Sequence, residues 1–123
     1  MSNINQVANT STVNSVAVMT YDGLPTISSG FGGSGAQVLG NQVGIFRVIF
    51  GGTAGNTGTF AFPFSAPNGW LVQGYDITNG TTLFLQQTAY TTTTATMNSY
   101  SITTGLAANM SAGDTLVFTA EPF

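Results

Sequence analysis

The chain has 123 residues, 42% of them hydrophobic and only 4% charged, with a formal net charge of −3; this length holds one domain, and against an ordinary charged share of about 25% it leaves solubility to Thr, Ser, Asn, Gln and Gly. Arg47 is the one basic side chain, His and Cys are absent, and the acids are Asp22, Asp76, Asp114 and Glu121, so acid–base and nucleophilic catalysis lack their usual base, and zinc, copper and iron–sulfur sites lack imidazole and thiolate. A lone Arg cannot neutralise a run of phosphates, which excludes nucleic acid as a partner.

Residues 1–30 are rich in Asn, Ser, Thr and Val, hold no aromatic before Tyr21, and run into the Gly-rich stretch Ser28 to Gly35. They read as an N-terminal arm with a flexible joint, ahead of a single domain over 31–123. Within the arm, Val13 to Tyr21 is a candidate strand, and Val13, Val16 and Val18 suggest that it forms by pairing with something else; a frayed terminus is the plain alternative. No basic and then apolar leader pattern follows Met1, and the apolar run Ile45 to Phe50 is too short to cross a bilayer, so no membrane partner is expected.

The remaining candidate strands are Val43 to Phe50, Thr59 to Phe64, Trp70 to Thr78, Thr82 to Tyr90, Thr92 to Ile102 and Thr115 to Ala120, separated by Gly, Pro, Asn and Asp clusters. Helical periodicity is missing. Asn79-Gly80 lies between two β-rich runs, and both residue types tolerate the positive φ of a type I′ turn, so the spacing predicts a hairpin pairing 70–78 with 82–90.

Alternation assigns faces, because side chains two apart point the same way. Leu116, Phe118 and Ala120 oppose Thr115, Val117 and Thr119, and the Thr face is expected outward. The run 43–50 is apolar on both faces, with Val43, Ile45 and Ile49 on the side of Arg47 and Phe46, Val48 and Phe50 on the other. That pattern fits a strand covered on both sides, by the second sheet or by another subunit. Seven or eight short strands at this spacing predict an all-β chain, a single β-sandwich of jelly-roll type.

Phe31-Gly32-Gly33-Ser34, Asn41 through Phe46-Arg47-Val48, Gly51-Gly52-Thr53-Ala54, Gly58 through Pro63, Ala66-Pro67-Asn68-Gly69-Trp70, Asp76-Ile77-Thr78, Gln87-Thr88, Thr91 to Thr96, Asn98-Ser99-Tyr100, Thr104-Gly105 and Ala112-Gly113-Asp114-Thr115-Leu116 follow one another in an order that resembles small all-β virion proteins of tailed bacteriophages. The resemblance covers roughly residues 31 to 120 as a series of short pieces. It implies a non-enzymatic structural protein of the particle, decorating the capsid or forming part of a tail appendage. It supplies no catalytic motif to carry over.

Several side chains have a functional and a plain reading. Trp70, Tyr75 and Tyr90 together would make a stacking platform for sugars, whereas Trp70 after Pro67-Asn68-Gly69 also reads as a core anchor. The threonines from Thr91 to Thr96 form a hydroxyl rank for ice or glycans, or simply an exposed strand. Asp76 and Asp114, near turns, either coordinate calcium or cap the backbone of those turns. Arg47 is buried against a carboxylate, placed at a subunit contact, or an exposed charge that discourages aggregation.

No cofactor and no metal are expected. The expected partners are further copies of the chain, with a trimer favoured over a dimer, and a major capsid protein or another virion protein. The interface candidates are Val13, Val16, Val18, Ile45, Arg47 and Ile49. The expected setting is the surface of a phage particle, the chain being made in the host cytoplasm, with capsid decoration preferred to a tail-fibre or carbohydrate-binding role.

Overall fold

The computed structural model describes residues 23–123. Eight strands account for its regular structure: β1 (Thr26–Gly30), β2 (Gln37–Gln42), β3 (Ile45–Ile49), β4 (Thr57–Ala61), β5 (Trp70–Asp76), β6 (Leu83–Tyr90), β7 (Thr94–Ser101) and β8 (Thr115–Pro122). They form two four-stranded sheets, one in the order β2-β3-β8-β5 (sheet I) and one in the order β1-β4-β7-β6 (sheet II). Every neighbouring pair is antiparallel. The chain is thus all-β, a two-sheet sandwich. Residues 1–22 of the expected arm, with Val13, Val16 and Val18, lie outside the described residues.

The alternation seen in 115–120 has the direct consequence expected of it: Leu116, Phe118 and Ala120 are buried, and Thr115, Val117 and Thr119 turn away from the core. Between the sheets, four phenylalanine rings meet. Phe60 of β4 lies 4.9 Å from Phe118 of β8, 5.2 Å from Phe46 of β3 and 4.7 Å from Phe31. Burying each ring is worth about 1.5–3 kcal/mol by area, and each well-placed ring pair adds about 0.5–1.5 kcal/mol. Glycines make the room: a Cβ on Gly58 would overlap the Phe31 ring, and one on Gly74 would overlap one edge of the Phe118 ring.

Two segments differ from the sequence reading. Thr26–Gly30, expected within the arm, pairs with β4 as an edge strand, and Gln37–Gln42 forms a second edge strand where none was expected. The Gly-rich joint between them is an ordered corner. Gly30, Phe31, Gly32 and Gly33 all have positive φ, and this left-handed run carries the chain from sheet II to sheet I while turning the Phe31 ring into the core. The corner is fastened to the loop after β3: Gly51 N–H donates to Phe31 O at 2.8 Å, Gly52 N–H to Ser34 O at 2.9 Å and Thr53 N–H to Gly32 O at 3.0 Å.

The Asn79-Gly80 hairpin is also absent. Strand β5 lies in sheet I and β6 in sheet II, so the connection crosses from one sheet to the other. Neither Asn79 nor Gly80 has positive φ, and the type I′ turn needs it at both. What links the two strands is a side chain. Gln87 of β6 donates its amide Nε2–H to Trp70 O at 2.7 Å and accepts the Val72 N–H on Oε1 at 2.9 Å. It thereby fills part of the free edge of β5, as one residue of an added strand would.

Gly32 and Gly33 separate two effects at the corner. Both have positive φ, but an added Cβ meets the Gly51 backbone nitrogen at 2.5 Å from Gly32 and nothing within 4 Å from Gly33. Gly33→Ala should cost about 1–3 kcal/mol from backbone strain alone, and Gly32→Ala should cost more, read as the difference in urea midpoints.

Candidate functional site

The two outward faces differ in chemistry. On sheet II the polar side chains pair with one another: the hydroxyls of Thr59 and Thr96 lie 2.9 Å apart, and Thr88 donates to Asn98 Oδ1 at 2.6 Å. Its apolar end is a mutual stack, Phe84 on Tyr100 at 5.4 Å between centroids.

Sheet I presents apolar side chains to solvent. The register places Leu39, Arg47, Val117 and Tyr75 in one row across all four strands, and Gln37, Ile49 and Thr115 in a parallel row. Ile45 is 55% exposed, Leu71 50% and Tyr75 76%, with Ile77 beyond the end of β5 equally open. A shallow groove of about 350 Å³ runs between Leu39, Ile45, Arg47 and Val117. The intrachain core and hydrogen bonds do not account for these exposed apolar groups, which share one face.

Three of the six interface candidates fall on that face. Ile45 and Arg47 are exposed, Ile49 is half-buried, and all three project from the side of β3 opposite Phe46 and Val48. Among the described residues, therefore, the second sheet covers one side of β3 and the side of Ile45, Arg47 and Ile49 stays open. Arg47 is not buried against a carboxylate, because Asp76 and Asp114 are taken up elsewhere and Arg47 faces solvent. Leu39, Leu71, Tyr75 and Val117 join the candidates; the alternation in 115–120 had set Val117 on the side of Thr115 and Thr119, expected outward, and the strand order brings the other three beside it.

The proposed sugar platform is not assembled. Trp70 has no exposed surface; it stacks on Phe62 at 4.0 Å and 10° and donates its indole N–H to Thr92 O at 3.0 Å. Tyr75 stands on the outward face of sheet I, while Tyr90, at the end of β6, packs against Phe123 at 5.6 Å. The threonine run makes a turn: Thr91 Oγ accepts the N–H groups of Thr93 and Thr94 at 3.2 and 3.0 Å and meets the Thr94 hydroxyl at 2.7 Å.

Asp76 and Asp114 come together as a capping pair around Asn79. The Asn79 amide Nδ2 donates to Asp76 Oδ2 at 3.2 Å and to Asp114 Oδ2 at 2.6 Å, its backbone N–H donates to Asp76 Oδ1 at 2.8 Å, and Ser111 N–H donates to Asp114 Oδ2 at 2.9 Å. The amide nitrogen occupies the place between the carboxylates that a cation would take. Burial pushes the Asp76 carboxyl above its ordinary value of 3.8, against the Asn79 hydrogen bonds that lower it, with the nearby Asp114 charge adding to the rise.

No protein-family model, curated protein or solved structure matches the chain.

Two measurements follow from these assignments. Native Trp fluorescence should resist quenching by iodide and become quenchable only on unfolding, since Trp70 is the one indole and is enclosed. For Asp76, the folded pKa is raised, so its contribution to stability is complete below the ordinary value of 3.8 and is lost as pH rises through the folded value. Urea midpoints from about pH 3 to 7 should fall more for the wild type than for Asp76→Asn, which removes the titration and keeps an oxygen for the Asn79 N–H.

Proposed function

We propose that the chain is a non-enzymatic structural protein of a virus particle, a decoration protein of a phage capsid, and that the outward face of sheet I is its assembly surface. The observation that carries this reading is the contrast between the two faces. On one, hydroxyls and an amide bond in pairs beside the partly exposed Phe84–Tyr100 stack, and the other leaves Ile45, Leu71, Tyr75 and Ile77 in water. Exposed apolar groups at this density are tolerated where another surface covers them.

Two further points support it. The order of short motifs from Phe31 to Leu116 resembles the small all-β virion proteins of tailed bacteriophages. Of the acids in the described residues, Asp76 and Asp114 are committed to Asn79 and Glu121 stands apart from them, which leaves no carboxylate pair across a cleft for glycoside hydrolysis. The enclosure of Trp70 removes the main support for a carbohydrate-binding role.

The test is fractionation. Particles released by cells that carry the gene are banded on a density gradient, heads and tails are separated, and each fraction is probed with antiserum to the purified chain. The chain should band with heads. Material that stays at the top of the gradient overturns the proposal, and a signal confined to tails replaces capsid decoration with a tail appendage.

A further inference from the structure

The face of sheet I carries both exposed charged side chains of the described residues, and they are arranged so that the face complements itself. Arg47 stands on β3 opposite Val117 of β8. Glu121 stands four residues further along β8, about 13 Å away at strand spacing, beside Leu71 of β5. The two are too far apart to pair within one chain, and the remaining acids of this region are buried. Between the charges lie apolar and neutral groups: Ile45 on β3, Thr119 on β8 and Gln73 on β5, with Gln73 and Thr119 in register.

We propose that this face binds a second copy of the chain through a two-fold axis lying in the interface, across the strands at the level of Ile45, Thr119 and Gln73. The rotation exchanges the level of Val117 with that of Glu121. Tyr75, in register with Val117, then meets Leu71 of the second copy, which is in register with Glu121. Arg47 is then offset across the strands by about one strand spacing, ~4.8 Å, from Glu121 of the second copy, with the two sheets ~10 Å apart, a gap that the two long side chains together span. Each contact occurs twice, as the symmetry demands. The two exposed charged side chains of the described residues are thus paired, and the most exposed apolar side chains of the sheet are covered in one step.

The same geometry argues against the expected trimer. A three-fold axis joins two different surfaces. On the described residues, the outward face of sheet II offers no charge to Arg47, and its polar groups already bond to one another. The proposal rests on reading the face of sheet I as an assembly surface, and it is independent of whether the assembly sits on a particle.

The experiment is a charge exchange on the full-length chain, with mass read by sedimentation velocity and light scattering at tens of micromolar concentration. The wild type should be a dimer. Arg47→Glu and Glu121→Arg alone each place like charges together twice and should weaken association at least ~10-fold. The double variant R47E/E121R should recover it, and so should an equimolar mixture of the two single variants, since every unlike pair is then restored across the axis. A monomeric or trimeric wild type, single variants that dimerise normally, or a mixture that fails to associate would each overturn the proposal. A wild type that is monomeric in solution yet bands with phage heads overturns it while leaving the particle assignment standing.

Discussion

Ring against glycine is the contact on which the sandwich depends. Phe31 lies over Gly58 and Phe118 over Gly74, each ring occupying the space where a side chain would otherwise stand. With those two rings seated, Phe60 and Phe46 complete a cluster that touches both sheets. The cluster decides which way each strand faces. Once Phe46, Phe118 and Val72 point inward, Ile45, Arg47, Val117, Leu71 and Tyr75 have no direction left but outward. The open apolar face of sheet I is therefore a consequence of how the core is filled, and its exposure is not relieved anywhere else in the described chain.

The left-handed corner is the second requirement. Phe31 reaches the core only because the backbone on either side of it adopts positive φ, with glycine at three of the four positions. Its peptide groups then bond to the loop at Gly51 to Thr53, which joins the end of β3 to β4. One segment thus fixes the spacing of the two sheets at the flank formed by β1 and β2.

Six strands and the inward face of β8 were legible in the sequence, because alternation of Leu and Phe with Thr records which side is buried. Strands β1 and β2 were not, since TISSG and QVLGNQ are edge strands, mostly exposed, and carry little apolar pattern. The glycines around Phe31 looked like a joint because composition reports conformational freedom without reporting what holds it in place. Asn79-Gly80 misled for a different reason. Asn is as useful for bonding carboxylates as for turning a hairpin, and the nearby Asp76 and the distant Asp114 claim it. Of the candidate site, Arg47, Ile45 and Ile49 were recognisable from a single strand. Tyr75, Leu71 and Glu121 share their surface only through the order β3-β8-β5, which depends on contacts far apart in the chain. Trp70 could be read either way until its indole was seen to bond Thr92.

The hydroxyl and amide face of sheet II has its own consequence. Its side chains include Thr59, Thr88, Thr96 and Asn98, and none of its strands carries an Asp, Glu, Lys or Arg. Hydration of such a surface comes from uncharged donors and acceptors, so it changes little between fresh water and brine. A layer of these domains, each turned with sheet II outward, would form a neutral coat whose outer chemistry stays constant while its environment changes.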